Sequence, residues 1–280
     1  MANTMFRLLT ELSSRKWISR LTGSFAKSRA SRALIPKFIQ AYRIPAEEAE
    51  KPLQDYHTLN EFFTRRLQAS ARPVDADPMS LVSPVDALIT AMGPLDDQLI
   101  PNVKGQNYTL DELLNHSPRL ESYRDGYMFV LYLSPRDYHR IHAPVTGRQT
   151  EREYIPGKVY PVNERSMVNM RSVLSRNERQ ITYISHHYGE VAVAKVGALN
   201  VSSIRYADET RTSWNKGDEL AYFEFGSTVV LLMQKHSFEP DERLHVGSRV
   251  QMGEKLGTLL DLEATRPYQR IKDTDHPNHS

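Results

Sequence analysis

The 280-residue chain contains no cysteine. Disulfides, zinc–thiolate centres and thiol nucleophiles are therefore excluded, and the composition fits a reducing compartment. Long apolar runs are also missing. No stretch approaches the roughly 18 consecutive apolar residues that a membrane span needs, and no short apolar core with a cleavage site reads as a secretory signal. Acidic residues are scarce in the first 43 positions, where Glu11 stands alone against nine Lys and Arg. That end has a surplus of eight positive charges while the whole chain carries only +2, so the remainder is net negative. A basic end on a mildly acidic body points to an anionic surface as partner, lipid or nucleic acid. The remaining composition, 40% hydrophobic and 25% charged, is that of a globular protein long enough for one large core or two small ones.

Residues 5–42 read as amphipathic helix. Phe6, Leu9 and Leu12, then Ile18, Leu21 and Phe25, recur at helical spacing with Arg15, Lys16 and Arg20 between them. After a break expected at Gly23-Ser24, Leu34, Ile35, Phe38, Ile39 and Tyr42 repeat the pattern beside Lys37 and Arg43. Apolar anchors, Trp17 and a basic polar face describe a helix lying in a membrane interface. Interleaving of basic with large apolar residues speaks against a nucleic-acid role. Two other readings stay open on the residues alone: an Arg- and Ser-rich transit peptide, or helices that pack on the chain's own core. An acidic, proline-flanked connector covers 45–55. Thr58-Leu59-Asn60-Glu61 then forms a capping box that opens a short helix through Phe62, Phe63 and Leu67.

From about residue 80 the pattern changes to short β-like runs at 81–85, 88–92, 128–133, 147–154, 181–184, 191–196, 200–204, 220–233 and 250–260. Turn residues punctuate them, and 110–114 is the main helical candidate. The expected fold class is α+β: amphipathic helices within 1–70, a mostly antiparallel β body over 71–264 and a polar tail over 265–280. The stretch 246–257 looks like the turn-and-strand pattern of barrel-sandwich domains such as the lipoyl and biotinyl carriers, without the carrier lysine hairpin.

Four stretches carry reactive groups. The run 222–233, Tyr-Phe-Glu-Phe-Gly-Ser-Thr-Val-Val-Leu-Leu-Met, reads as one buried strand. Within it Gly226 permits close approach to the backbone, and Ser227 sets a hydroxyl beside a carbonyl that no Cβ shields. Alone, these residues describe a β-bulge with a hydrogen-bonded serine. Ser83-Pro84-Val85-Asp86 puts a carboxylate after a proline turn, where an Asx-turn is its usual role. Ser134-Pro135-Arg136-Asp137-Tyr138-His139-Arg140-Ile141-His142-Ala143-Pro144 holds two histidines three apart between prolines, which implies a shaped site. With Asp86 as third ligand, that spacing could also hold a metal. A long loop with Ile155-Pro156-Gly157 and Pro161-Val162-Asn163 is of the kind that lines pockets.

Asp86 in Ser-Pro-Val-Asp, the Tyr-His-Arg-Ile-His element ending at His142, and Phe-Gly-Ser-Thr at 225–228 together resemble the phosphatidylserine decarboxylases, pyruvoyl enzymes made as self-cleaving proenzymes. The likeness runs in the family's order from about residue 6 to residue 260. It includes the Thr-Leu-Asn-Glu-Phe-Phe helix start and Arg176-Asn177-Glu178-Arg179. Phe225 stands where many bacterial members have Leu, and Ser202 where Gly is frequent. The 201–226 segment is shorter than in the larger bacterial members, which bears on the shape of the substrate entrance.

The resemblance implies self-cleavage between Gly226 and Ser227 into chains 1–226 and 227–280. Asp86, His142 and Ser227 would form the relay: His142, oriented by Asp86, removes the Ser227 proton, and the Oγ attacks the Gly226 carbonyl to give an ester. β-Elimination would then release 1–226, and the dehydroalanine at 227 would hydrolyse to a covalent pyruvoyl cofactor, with no metal. That group would bind the amine of phosphatidylserine as a Schiff base, with loss of CO2 to give phosphatidylethanolamine. His139 is the candidate proton donor or carboxylate-site residue of this second reaction. The implied partners are phosphatidylserine, an anionic membrane surface and the cleaved chains as a large/small heterodimer, with further dimerisation open and no nucleic acid. The implied location is peripheral, on the cytoplasmic face of a bacterial cell membrane. Bacterial members retain the basic N-terminal region, which weighs against a transit peptide. Two readings from other classes stand beside this one: a metal-dependent hydrolase using His139, His142 and Asp86, and a non-catalytic membrane-bound binding module.

Overall fold

A computed structural model of the chain describes residues 23–95, 100–103, 106–160, 173–198, 204–224 and 227–261. The β body is organised on one eight-stranded antiparallel sheet. Its spatial order is Ser213–Trp214, Gly147–Ile155, Arg179–His186, Gly189–Gly197, Ser227–Met233, Tyr127–Leu133, Ala87–Pro94 and Arg249–Val250. On one face Val191, Val193, Val229, Leu231, Phe129 and Leu131 pack against two three-stranded sheets. One of these joins Ile204–Tyr206, Glu219–Phe223 and Arg140–His142; the other joins Ser80–Val82, Lys255–Leu259 and Phe238–Pro240. Alternate residues Ala192, Ala194, Val230, Leu232, Met128 and Val130 face the opposite way, into a core shared with the short helices Leu110–Leu113, Leu120–Tyr123 and Val173–Arg176. Strands covered on both faces read as continuous apolar runs, which is why 229–233 shows no polar alternation. The result is the α+β, mostly antiparallel, sandwich-like body that the sequence pattern predicts.

The N-terminal part forms a small core of its own. A 3-10 helix Arg29–Leu34 leads into helix Ile35–Tyr42, and Ile35, Ile44, Tyr56, Leu59 and Phe62 pack together. Buried Ser31 Oγ accepts the Leu59 N–H at 2.9 Å, joining the two helical segments. The capping box forms as expected: Thr58 Oγ1 accepts the Glu61 N–H and Glu61 Oε2 accepts the His57 N–H. The inner face of residues 29–42 thus packs on protein, while Phe25, Leu34 and Tyr42 are exposed. Residues 1–22, including Trp17, lie outside the described residues.

Two sequence expectations need correction. Helix continues over 23–26, so the break expected at Gly23-Ser24 falls instead at Lys27-Ser28. More consequentially, 222–233 is not one strand. Glu219–Phe223 lies in a three-stranded sheet and Ser227–Met233 in the eight-stranded sheet, so the chain changes layer across 224–226. The charged Glu224 marks the change: its carboxylate accepts Lys27 Nζ at 2.8 Å, which a residue in a two-sided apolar core could not do. The latter parts of the loop at 154–163 and most of the strand expected at 200–204 fall outside the described residues.

The Arg-Asn-Glu-Arg segment holds the edge of this arrangement. Fully buried Asn177 accepts the Tyr160 N–H and donates to the carbonyls of Tyr160 and Gly197, at 2.9 and 2.7 Å. Gly197 also donates its N–H to Glu178 O at 2.8 Å, and it lies opposite Ser227 in the sheet register. Arg179 meanwhile donates to the carbonyls of Leu113 and Glu112 at the end of helix Leu110–Leu113. Asn177→Ala leaves three backbone groups without partners, so unfolding free energy should fall by about 2–4 kcal/mol in urea denaturation. A loss below about 0.5 kcal/mol would mean that water replaces the amide.

Candidate active site

Position 227 opens the central strand at the layer change, and backbone pairing fixes both ends of the crossing. Ser227 is in register with Leu133, the last residue before the histidine loop. At the other end the Phe223 N–H donates to the carbonyl of His139 at 3.1 Å. Phe223 and Ser227 are therefore anchored at opposite ends of the 134–138 loop. The loop is itself closed: Asp137 Oδ2 accepts the N–H and hydroxyl of Ser134, both at 2.7 Å, and Asp137 Oδ1 accepts Arg249 at 2.8 Å.

His139 is fully buried. Its Nε2–H donates to the Ser134 carbonyl at 3.0 Å, and its Nδ1 has no partner among the described residues. Because a carbonyl can only accept, the proton sits on Nε2, and Nδ1 carries a bare lone pair. The ring is tilted against Phe63, with centroids 4.0 Å apart, so helix Leu59–Phe63 of the N-terminal part forms one wall of the histidine's pocket. Burial lowers the His139 pKa to about 3, and the charge of Arg65 adds to the effect while the Ser134 bond opposes it. His139 is thus neutral at ordinary pH.

His142 has the opposite tautomer. Its Nδ1–H donates to Gly217 O at 2.7 Å, leaving Nε2 to accept the Tyr138 hydroxyl at 3.0 Å. Gly217 presents that carbonyl from a tight turn closed by Asp218 N–H to Asn215 O, with φ at +87°. A Cβ there would lie 2.7 Å from Val74 Cγ2, so the turn requires glycine. Burial lowers the His142 pKa, partly offset by the Gly217 bond.

Asp86 lies close to His142 along the backbone, since the His142 N–H donates to Pro84 O at 2.8 Å. Its carboxylate, however, is bound elsewhere. Arg72 donates through Nε and Nη2, the latter at 2.6 Å, and the Met252 N–H donates at 2.9 Å. The fold therefore gathers Asp86, His139 and His142 around the layer change, with Tyr138 and Gly217 as the direct partners of His142. Arg72 is held charged: burial opposes its charge, but the bonds to Asp86 and Glu48 outweigh it and raise its pKa. The sequence offered no signal for Gly217 or Arg72, because each works through contacts with distant segments, and it showed Tyr138 only as part of the histidine motif. Nor did it single out Lys195, a fully buried amine bonded to Thr182 Oγ1 and kept towards neutrality by burial. Among the described residues no three His, Asp or Glu side chains are grouped to hold a metal ion. In particular, both His142 nitrogens and the Asp86 oxygens have other partners.

The buried neutral histidine has a measurable consequence. Unfolded His139 takes up a proton below about pH 6.5, whereas the folded state resists it down to about 3. Stability is therefore unaffected above that range and falls as pH drops from about 6.5, by up to about 1.4 kcal/mol per pH unit. Denaturation curves of His139→Leu between pH 6.5 and 5 should show a correspondingly shallower slope than the unsubstituted chain. Equal slopes would mean that folded His139 protonates freely.

Comparison with known proteins gives the family. The profile described as phosphatidylserine decarboxylase matches residues 59–258. The chain is 40% identical over 260 residues to the phosphatidylserine decarboxylase proenzyme of Bacillus thuringiensis subsp. konkukian (strain 97-27), covering 93% of this chain and 99% of that protein. It is 41% identical, with the same coverage, to the proenzyme of Bacillus cereus (strain B4264). With the profile spanning the capping helix, the histidine loop and the layer change at 227, the chain belongs to the phosphatidylserine decarboxylase family.

Proposed function

We propose that this chain is a phosphatidylserine decarboxylase, a carboxy-lyase that matures by cutting itself between Gly226 and Ser227. The observation that carries this reading is the double anchoring of the crossing: Phe223 at His139 and Ser227 at Leu133. It ties both described residues that flank 224–226 to the segment that contains the buried base His139. Family membership supplies the substrate class, and the neutral histidines supply proton acceptors. In the cleavage step the Ser227 Oγ attacks the Gly226 carbonyl, its proton passes to His142 and from there to the leaving Ser227 nitrogen, and the C–N bond breaks as the ester forms. Removal of the Cα proton at 227 then breaks the Oγ–Cβ bond and frees the Gly226 carboxylate. Hydrolysis of the dehydroalanine releases ammonia and leaves a pyruvoyl group, whose carbonyl supplies an electron sink for decarboxylation.

For His142 to serve as base, Tyr138 must release Nε2. Gly217 O holds the tautomer that this role needs, and Asp86 contributes through its nearby charge, which favours the protonated ring. His139 then handles a proton in decarboxylation through Nδ1. A second reading exchanges these roles, because His139 Nδ1 is already free while His142 Nε2 is not.

The N-terminal part supports a lipid substrate. Phe25, Leu34 and Tyr42 are exposed alongside Arg29, Lys37 and Arg43, a combination suited to an anionic leaflet. Lys27 joins this surface to Glu224, two residues before Gly226. No helix among the described residues is long and apolar enough to cross a membrane. Peripheral attachment at the cytoplasmic face of a bacterial membrane fits these features.

Two experiments test the reading. Mass spectrometry of the denatured protein should find chains 1–226 and 227–280, the smaller one refractory to Edman sequencing. Ser227→Ala, His142→Ala and Asp86→Ala should each stay one chain, while His139→Ala cleaves but decarboxylates poorly. Cleavage in His142→Ala with none in His139→Ala would establish the exchanged roles, and an intact chain in active protein would end the proposal. Separately, replacing Phe25, Leu34 and Tyr42 together by Ser should weaken binding to phosphatidylserine-containing vesicles by at least about tenfold without affecting cleavage. Undiminished vesicle binding would place the membrane contact on another face.

A further inference from the structure

Arg65 is only 3% exposed, yet the Nε and Nη1 of its guanidinium have no hydrogen-bond partner among the described residues. Arg179, comparably buried, donates to the carbonyls of Leu113, Glu112, Ser175 and Asn177. Arg65 instead rests over the Phe62 ring, 5.1 Å from its centroid. Buried guanidinium N–H groups without an acceptor are strongly unfavourable, so an acceptor beyond the described residues is what this site lacks.

The surroundings specify its charge. Arg65 lines a cavity of about 360 Å³ together with three more arginines and three carboxylates. Every carboxylate is taken: Glu48 and Asp86 by Arg72, and Asp137 by Arg249. Arg65 and the exposed Arg136 have no carboxylate partner among the described residues. One uncompensated positive charge therefore remains, matched to a monoanion. Tyr138, whose hydroxyl donates to His142, forms another wall, so the cavity adjoins the candidate active site.

The geometry points to this cavity as the seat of the substrate's phosphodiester, with Arg65 and Arg136 as its donors. This rests on the decarboxylase reading and deepens it. Phosphatidylserine offers two anions to a guanidinium, a phosphodiester and a carboxylate. The carboxylate must lose its charge as it leaves as CO2, and a guanidinium bound to it would stabilise the ground state more than the transition state. The phosphodiester keeps its charge throughout, so holding it binds the lipid without opposing the chemistry.

Calorimetric titration of the full-length protein with inorganic phosphate, glycerophosphoserine and L-serine tests this site without requiring turnover. Glycerophosphoserine should bind more tightly than phosphate, and L-serine should displace neither. Arg65→Gln and Arg136→Gln should each weaken both ligands by at least about tenfold, with folding checked by the thermal midpoint. In turnover, Arg65→Lys should raise KM more than it lowers kcat. Displacement by L-serine would overturn the assignment to the phosphodiester, and equal affinity for the two phosphate ligands would overturn the assignment to the headgroup. Unchanged phosphate affinity in folded Arg65→Gln would remove the site altogether; if that variant does not fold, unchanged affinity in Arg136→Gln would do so. A chain that binds phosphate through Arg65 but neither cleaves nor decarboxylates would count against the enzymatic reading and leave the anion site standing.

Discussion

The strand Ser227–Met233 is hydrogen-bonded along both edges, to Tyr127–Leu133 on one side and Gly189–Gly197 on the other. Every residue of it is registered twice, so position 227 cannot slip without breaking two ladders and reversing which side chains meet each core. The histidine loop begins where the first ladder ends, and the Asn177 network secures Gly197 where the second ends. Ser227, at the start of this strand, is thus held by ladders on both sides. The crossing before it, by contrast, is held at its ends.

Burial sets the chemistry of the two histidines, and backbone carbonyls set their tautomers. His139 gives its proton to Ser134 O and keeps Nδ1 bare; His142 gives its proton to Gly217 O and offers Nε2 to Tyr138. Two histidines three residues apart thereby become distinct groups, through contacts as much as 75 residues away along the chain. Neither uses a carboxylate for orientation here. Asp86 instead anchors Arg72, so its negative charge stays next to the histidine pair while its hydrogen bonds tie residues 72, 86 and 252 together.

The N-terminal part belongs to the site as well as to its surface. Phe63 stacks on His139, Arg140 Nε donates to Thr64 O at 2.9 Å, and Arg66 pairs with Glu219 at 3.1 Å. Lys27 reaches Glu224. A segment with exposed apolar and basic residues on one side thus supplies a wall of the reactive pocket on the other.

Local physics made much of the chain legible from sequence. Short β-like runs punctuated by turn residues marked most strands of the large sheet, the Thr58–Glu61 pair marked a helix start through its reciprocal capping bonds, and 222–233 read as buried. The short strands Ser213–Trp214, Phe238–Pro240 and Arg140–His142 escaped notice, because two or three residues carry too little periodicity to register. The motif residues Asp86, His139, His142 and Ser227 were likewise visible, since unusual residue types in short apolar or proline-bounded stretches need only the sequence itself to be seen. Their relations were not. That 222–233 divides between two sheets, that His142 leans on Gly217, that Asp86 binds Arg72, and that two buried Arg65 nitrogens lack a partner among the described residues all depend on segments far apart in the chain. Such contacts are chosen by how layers pack and which backbone groups remain to be satisfied, quantities that exist only once the tertiary structure has formed.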